Sequence, residues 1–317
     1  MRQDDAARRA WSPEDIGIPL QHPGPRAAQR LVSVPTTCSV IRGVLPAGAV
    51  ISEAIWELVK PTGVLSAKAG INGGTIEHLP YVYPLCGGGE RRVVSLTSPV
   101  QAHTPASLLG GSVTVGHREG RQFTHVHASW LDADGALRGG HLLPEARVGE
   151  IGVNVVLTLL HDVQMISVDD PETLLPTFTP IPREGGSSPR GDTRAVMSRV
   201  LPGIDMHDAV QQICLNAGFG NAVVTDSLGS TVGAALTQGV DRTGPVTTLV
   251  DAPAVEWTRL IGSAHGVGTD EPEMSLSGTC VDVTGAVHSG TLIPGRNVTA
   301  VTFELLVEEL IPPRKVS

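Results

Sequence analysis

Three histidines in a short segment have the spacing of a metal-ligand set. His125 and His127 are separated by one residue, and His141 follows a pair of glycines. Side chains alternate along a β-strand, so the first two imidazoles point to the same face. Three imidazoles on one face suit Zn²⁺ or a related divalent ion and leave a fourth position for water or substrate. A metal held in this way polarises a carbonyl group or activates a bound water molecule.

The position of the third imidazole depends on the turn that precedes it. If residues 133–135 form a three-residue loop with a left-handed glycine, Asp132 pairs with Ala136. In that register His127 lies directly opposite His141. A two-residue loop would shift the pairing by one residue and turn the third histidine to the other face. We therefore predict a three-residue loop, or a compensating bulge.

The chain contains an internal repeat. Val44-Leu45-Pro46 recurs as Val200-Leu201-Pro202, and apolar residues at helical spacing follow each copy. Further along, the segment from Gly140 to Pro144 matches Gly290 to Pro294. Order and spacing kept over about 100 residues indicate a tandem duplication. In the second copy the three histidines are replaced together, by Ser275, Ser277 and Thr291.

The repeat divides the chain into four predicted segments. They are an N-terminal arm at residues 1–32, a first domain with the histidines at 33–169, a linker at 170–192 and a second domain at 193–317. Prolines and a Gly-Gly-Ser-Ser run predict that the linker is irregular. Each domain reads as a strand, one helix and several hairpin-linked strands. This pattern predicts the α+β class, with a mostly antiparallel sheet flanked by helix.

Composition limits the function classes. The chain has 317 residues with a net charge of −9, which disfavours nucleic acid as a partner because phosphate binding relies on Lys and Arg. It has no apolar run of about 18 residues, so we expect no membrane span. The charged start has no secretory signal, and four widely spaced cysteines indicate free thiols. We therefore expect a cytoplasmic protein.

The histidine segment also resembles a known family. His125-Val-His127-Ala-Ser, followed by Asp-Gly and Gly139-Gly140-His141-Leu142-Leu143, is similar to the plant and prokaryote conserved (PPC) domain. The resemblance spans most of residues 38–165 and returns, weaker, at 195–310. It implies an antiparallel sheet flanked by helix, a homotrimer and, as in prokaryotic members, a metal held by the three histidines.

Two features of this sequence depart from the family pattern. Plant members carry AT-hooks and act in transcription, and this chain has no such hook. Family members often carry an acidic residue in the strand after the last histidine. Val153 and Asn154 occupy that place here, and Glu150 lies earlier.

We expect a metal-dependent enzyme, a lyase, hydratase or hydrolase, acting on a small anionic metabolite. Glu119, Glu150 and His117 are the candidate proton-transfer groups. The candidate substrate-binding residues are the arginines, which bind carboxylates in bidentate fashion, and a glycine turn that brings backbone amides to a ligand: Arg92, Arg121, Arg138, Asn72 and Gly73. The alternatives are a DNA-binding regulator and a non-catalytic metal- or metabolite-sensing scaffold.

Overall fold

The computed structural model describes residues 12–87, 93–184, 191–241 and 244–311. We call the described residues up to 184 the first half and those from 191 the second half. The first half contains helix α1 (Ile51–Val59) and strands β1 (Leu31–Leu45), β2 (Ser66–Asn72), β3 (Thr75–His78), β4 (Pro80–Val82), β5 (Pro84–Cys86), β6 (Val94–Leu96), β7 (Val100–Gln101), β8 (Ala106–Arg118), β9 (Arg121–Leu131), β10 (Leu137–Leu142), β11 (Arg147–Val148), β12 (Val153–Leu160), β13 (Val163–Asp169) and β14 (Pro176–Pro182). The second half contains helix α2 (Met206–Ala217) and strands β15 (Thr193–Val200), β16 (Ala222–Thr231), β17 (Ala234–Asp241), β18 (Gly244–Val250), β19 (Val255–His265), β20 (Glu273–Val281), β21 (Val287–Leu292) and β22 (Thr299–Glu309). Short 3-10 turns lie at Pro13–Asp15 and Lys60–Thr62.

The two α-helices lie where the repeat predicts them. In α1, Ile51, Ile55 and Val59 recur every four residues, so one face of the helix is buried against the sheet. In α2, Asp205 caps the first turn by accepting a hydrogen bond from the backbone N–H of His207, and a left-handed Gly218 ends the helix. The described residues are more sheet-dominated than we expected, because each half devotes a single α-helix to covering a much larger sheet.

Strand β1 joins the two halves into one sheet. Its second part, Cys38 to Leu45, pairs antiparallel with β12, and its first part, Leu31 to Cys38, pairs antiparallel with β15. Strand β15 then pairs with β22 of its own half. The sheet curls so that β19 of the second half lies against β8 and β9 of the first half. We call the face enclosed by this curl the inner face of the sheet; the helices pack on the other face.

The duplicated hairpins have the same backbone geometry. In the first half, the backbone N–H of Asp132 donates to the carbonyl of Ala136, and Gly135 is left-handed with φ 81°. In the second half, Asp282 donates to Ala286, and Gly285 has φ 82°. Both loops therefore have three residues, which confirms the predicted turn.

The predicted linker is not irregular throughout. Pro176–Pro182 forms strand β14, which pairs antiparallel with β13. Prolines 176, 180 and 182 all lie at even-numbered positions, whose backbone groups are turned away from β13. The N–H groups that these prolines lack would therefore not have bonded to β13. Such an edge strand tolerates proline. Residues 185–190 of the predicted linker lie outside the described residues.

The described part of the predicted N-terminal arm packs on the second half of the same chain. The backbone N–H of Gly17 donates to the carbonyl of Val232 at 3.0 Å, and His22 Nε2 donates to the carbonyl of Ala300 at 2.7 Å. Within the described residues, none of the helices is both long and apolar enough to cross a membrane.

Candidate metal centre

The hairpin of β9 and β10 brings the three histidines together on the inner face. His127 pairs directly with His141, the register that a three-residue loop requires. The Nε2 atoms of His125 and His127 lie 3.0 Å apart. The ring centroids of His125 and His141 are 4.7 Å apart, and one ligand nitrogen from each of the three rings lies within 4.8 Å of the others. Zn–N bonds of about 2.0–2.1 Å place tetrahedral ligands about 3.4 Å apart, so the rings are close to a metal-binding arrangement.

The second half orients two of the three rings. His125 Nδ1 lies 2.8 Å from Glu304 Oε1, and His127 Nδ1 lies 3.0 Å from the backbone carbonyl oxygen of Trp257. A ring nitrogen that faces an acceptor carries the proton, which leaves Nε2 as the atom with the free lone pair. His125 and His127 are therefore both held in the tautomer that binds metal through Nε2.

The donor set fits a divalent cation. With both Nδ1 atoms donating, His125 and His127 present their Nε2 lone pairs to each other at 3.0 Å. Two lone pairs at this distance repel each other unless positive charge lies beside them. An extra proton on one ring would form a hydrogen bond between the Nε2 atoms of His125 and His127. The third ring, His141, brings a further nitrogen to the same point, and this proton would not bond to it as well. A metal ion satisfies all three nitrogens at once.

Burial keeps two of the rings neutral. Desolvation lowers the pKa of His127 well below its ordinary value, and the neighbouring His125 and His141 lower it further. Burial also lowers the pKa of His141 to about 3, and His125 adds to this shift. Neutral imidazole is the form that binds metal, so both rings are ready to act as ligands near neutral pH.

Glu304 belongs to a buried polar network that spans both halves. Lys68 Nζ donates to the hydroxyl of Thr114 at 2.7 Å, and the Thr114 side chain also hydrogen-bonds with Glu304. Burial on its own raises the pKa of Glu304, but interactions with His125 and Lys68 outweigh it and leave the pKa below its ordinary value. Burial lowers the pKa of Lys68 to about 8. The Glu304 carboxylate is therefore ionised and holds His125 by a charge-assisted hydrogen bond.

The three rings line a cavity of about 120 Å³ between the two halves. The first half contributes the β5–β6 hairpin to its wall, and the second half contributes Ser230, Glu256 and Thr302. Burial raises the pKa of Glu256 to about 8. The rest of the wall is mainly apolar, and it includes Pro84, Val94, Leu96, Leu175, Pro176, Ala254 and Val301.

The candidate proton-transfer groups lie away from this cavity. Glu119 is exposed in the β8–β9 turn, and Glu150 is exposed in a different surface pocket beside Thr75. His117 lies on the helix-covered face of β8, where its ring packs at 5.4 Å from that of Trp56. The alternation of side chains along β8 explains this, because Thr114 and not His117 shares the face of the histidines.

The candidate substrate-binding residues are also dispersed. Arg121 is exposed at the start of β9, opposite Arg118. Arg138 is exposed beside Asp132, with 3.6 Å between the guanidinium Nε and the carboxylate Oδ2. Asn72 and Gly73 form the β2–β3 turn, and neither residue lines the cavity. Arg92 lies outside the described residues.

The sequence prediction missed Glu304 and Glu256. Glu304 is flanked on both sides by apolar residues, Phe303 and Leu305, and this is the one local signal that could have identified it as a buried carboxylate. Nothing in the sequence indicated that they face histidines more than 100 residues earlier.

A comparison with protein families finds a match for part of the chain. Residues 187–311 match the sequence model of the Plants and Prokaryotes Conserved (PCC) domain, the same domain that the histidine segment resembles. This is the half that lacks the three histidines. Among curated proteins, none matches the chain.

Three solved structures that are similar to this chain each cover less than half of it. A hypothetical protein from Salmonella cholerae-suis is 16% identical over 47% of this chain and 96% of its own, with a TM-score of 0.36. A metal-containing protein from Archaeoglobus fulgidus is 21% identical over 44% of this chain and 91% of its own, with a TM-score of 0.36. A PPC protein from Pyrococcus horikoshii is 19% identical over 45% of this chain and 92% of its own, with a TM-score of 0.34.

Proposed function

Residues 187–311 are a Plants and Prokaryotes Conserved domain, and from this premise we propose that the chain is a metal-dependent enzyme whose centre lies in the first half. His125, His127 and His141 would hold the ion, and Zn²⁺ is the ion that three imidazoles with an open fourth position suit best. The observation that carries the proposal is the convergence of three ring nitrogens on the wall of a cavity.

The bound metal would act as a Lewis acid or as the source of hydroxide, the chemistry of a lyase, hydratase or hydrolase. The chain itself supplies the other requirements. Glu304 and the Trp257 carbonyl fix the orientation of two ligands, and such outer partners strengthen metal binding. The mainly apolar wall lowers the local polarity, which strengthens electrostatic interactions beside it.

The cavity favours a small substrate. No Lys or Arg among the described residues lines it, so the positive charge that binds an anionic group would come from the metal. A cavity of about 120 Å³ holds a few water molecules or one small metabolite, since a water molecule takes about 30 Å³ in the liquid.

Elemental analysis of the purified full chain tests the proposal. We expect about one divalent metal per chain, and none in a His127→Ala, His141→Ala double variant that keeps its circular dichroism spectrum. If the wild-type chain stays metal-free after supplementation with Zn²⁺, the enzyme proposal fails. The DNA-binding and sensing alternatives would then remain, and the net charge of −9 argues against the first of them.

Self-association as a homotrimer belongs to the same proposal, since the family resemblance implies it. Light scattering coupled to gel filtration is expected to give three times the chain mass of 33.1 kDa. A monomer at micromolar concentration would contradict it.

A further inference from the structure

Glu256 is one of two described cavity residues with a buried side-chain oxygen that has no hydrogen-bond partner; the other is Thr302, and only Glu256 is acidic. Its Oε2 atom is buried, and no hydrogen-bond donor reaches it within the described part of the chain. The residue lines the same cavity as the three histidines. A buried polar atom that lacks a partner is costly, so such an atom in a cavity points to a ligand that completes its hydrogen bonding.

The backbone of β19 places Glu256 close to the candidate metal ligands. The next residue, Trp257, gives its carbonyl oxygen to His127 Nδ1 at 3.0 Å. Glu256 pairs with Ser230 across the β16–β19 ladder, and both side chains line the cavity. Paired residues on one face of a sheet have Cβ atoms about 4.5–5.5 Å apart, so the second half presents a small polar patch opposite the histidines.

A bulge in β19 turns the glutamate inward. The pairing with β20 shifts between Trp257 and Arg259, so one extra residue is inserted there. Beyond this shift, the odd-numbered Arg259 lines a separate, open pocket together with Ser277 and Thr279, whereas before it the even-numbered Glu256 lines the cavity of the histidines. Without the bulge, Glu256 would point into the helix-covered core. Bulges commonly re-aim a side chain beside a functional site.

We propose that Glu256 is the substrate-binding carboxyl of this cavity and that it hydrogen-bonds the molecule that occupies the open position beside His125, His127 and His141. The substrate class is a small molecule with one metal-binding oxygen, one hydrogen-bonding group next to it and an apolar remainder that contacts the wall. This assignment rests on the proposed metal centre. It replaces Glu119 and Glu150, which lie elsewhere, as the acidic group of the site.

The test uses the full chain loaded with Co²⁺ and acetohydroxamate as the probe, with binding followed by visible absorption. Acetohydroxamate is small, binds metals through oxygen and carries an N–H group and a methyl group. We expect Glu256→Leu to keep its Co²⁺ stoichiometry and to bind the probe at least about tenfold more weakly. Glu256→Gln, which still forms hydrogen bonds, should stay within about threefold of wild type. Glu273→Leu, at an exposed glutamate on β20, is the matched control and should bind as wild type does.

Thermal unfolding separates lost binding from lost folding. Because the leucine removes an unpartnered buried carboxyl, we expect the Tm of the metal-free Glu256→Leu chain to rise by about 2 °C or more. A lower Tm together with weaker probe binding would assign Glu256 a structural role and contradict the inference. Wild-type affinity in Glu256→Leu would contradict it directly, and loss of Co²⁺ would make Glu256 a metal ligand instead. Failure of the wild-type chain to take up Co²⁺ would contradict the proposed metal centre itself.

Discussion

Replacing Glu304 by glutamine tests whether the second half holds the metal ligands of the first. Glu304 is fully buried, and its Oε1 atom lies 2.8 Å from His125 Nδ1. Glutamine keeps the size of the side chain and can still accept a hydrogen bond, but it has no charge. The variant therefore removes the negative charge behind His125 and leaves the packing of β22 in place.

The expected effect follows from the kind of hydrogen bond that is lost. A hydrogen bond to a charged group contributes about 1.5–3 kcal/mol, and a neutral one about 0.5–1.5 kcal/mol. The exchange therefore costs about 1–1.5 kcal/mol, or about a tenfold loss of metal affinity. Loss of an outer partner of a metal-bound histidine reaches about 100-fold, which sets the upper end of the expected range.

Competition with a chromophoric chelator measures this affinity. Glu309→Gln is the control, because Glu309 lies on the same strand but pairs at the surface with Arg194 at 3.0 Å. We expect the control to bind Zn²⁺ as wild type does. Equal affinity in wild type and Glu304→Gln, with the fold intact by circular dichroism, would refute the view that this carboxylate supports the metal centre.

Three further predictions follow from the same site. The metal-free chain should lose stability as the pH falls from about 6.5 towards 3, because His141 has a pKa of about 3 in the folded chain and takes up its proton at higher pH when the chain is unfolded. The free energy of unfolding should fall by about 1.4 kcal/mol per pH unit for each such histidine, which urea unfolding at several pH values measures. Gly135→Ala and Gly285→Ala should each destabilise the chain by about 1–2 kcal/mol, since both glycines are left-handed. Only Gly135→Ala should weaken metal binding, because only its hairpin carries the histidines, and equal metal affinity in the two variants would contradict the predicted link between loop and site. Deleting residues 193–317 should abolish metal binding and solubility together, because the deletion removes Glu304 and the strand that pairs with β1. A soluble fragment with wild-type metal content would refute this prediction.

Local patterns predicted the parts of the fold that depend on neighbouring residues. The loop at residues 133–135 and the register of His127 with His141 follow from one glycine and from the two-residue alternation of a strand. The two helices follow from apolar spacing in the same way. The strand β14 was missed because its prolines are typical of loops, and only the edge position that β13 gives it makes them compatible with a strand.

The partners of the histidines could not be predicted by such patterns. Glu304 lies 179 residues from His125 along the chain, and Trp257 contributes only a backbone carbonyl, which no side-chain pattern reveals. Their positions depend on how the shared sheet curls, and this depends on the pairing of β1 with β15. That pairing has no local signal in the sequence, because either strand could have paired elsewhere.

The proposed metal centre uses residues of both copies of the duplicated domain. Asn154 pairs with Asn72 in the first half, and Glu304 pairs with Leu228 at the corresponding positions of the second. The acidic residue that the family resemblance places after the third histidine is therefore absent from the half that has the histidines. It is present in the half that lost them, and there it faces His125. In the proposed centre each copy supplies what the other lacks. A change at either Glu304 or His125 should therefore impair the same centre.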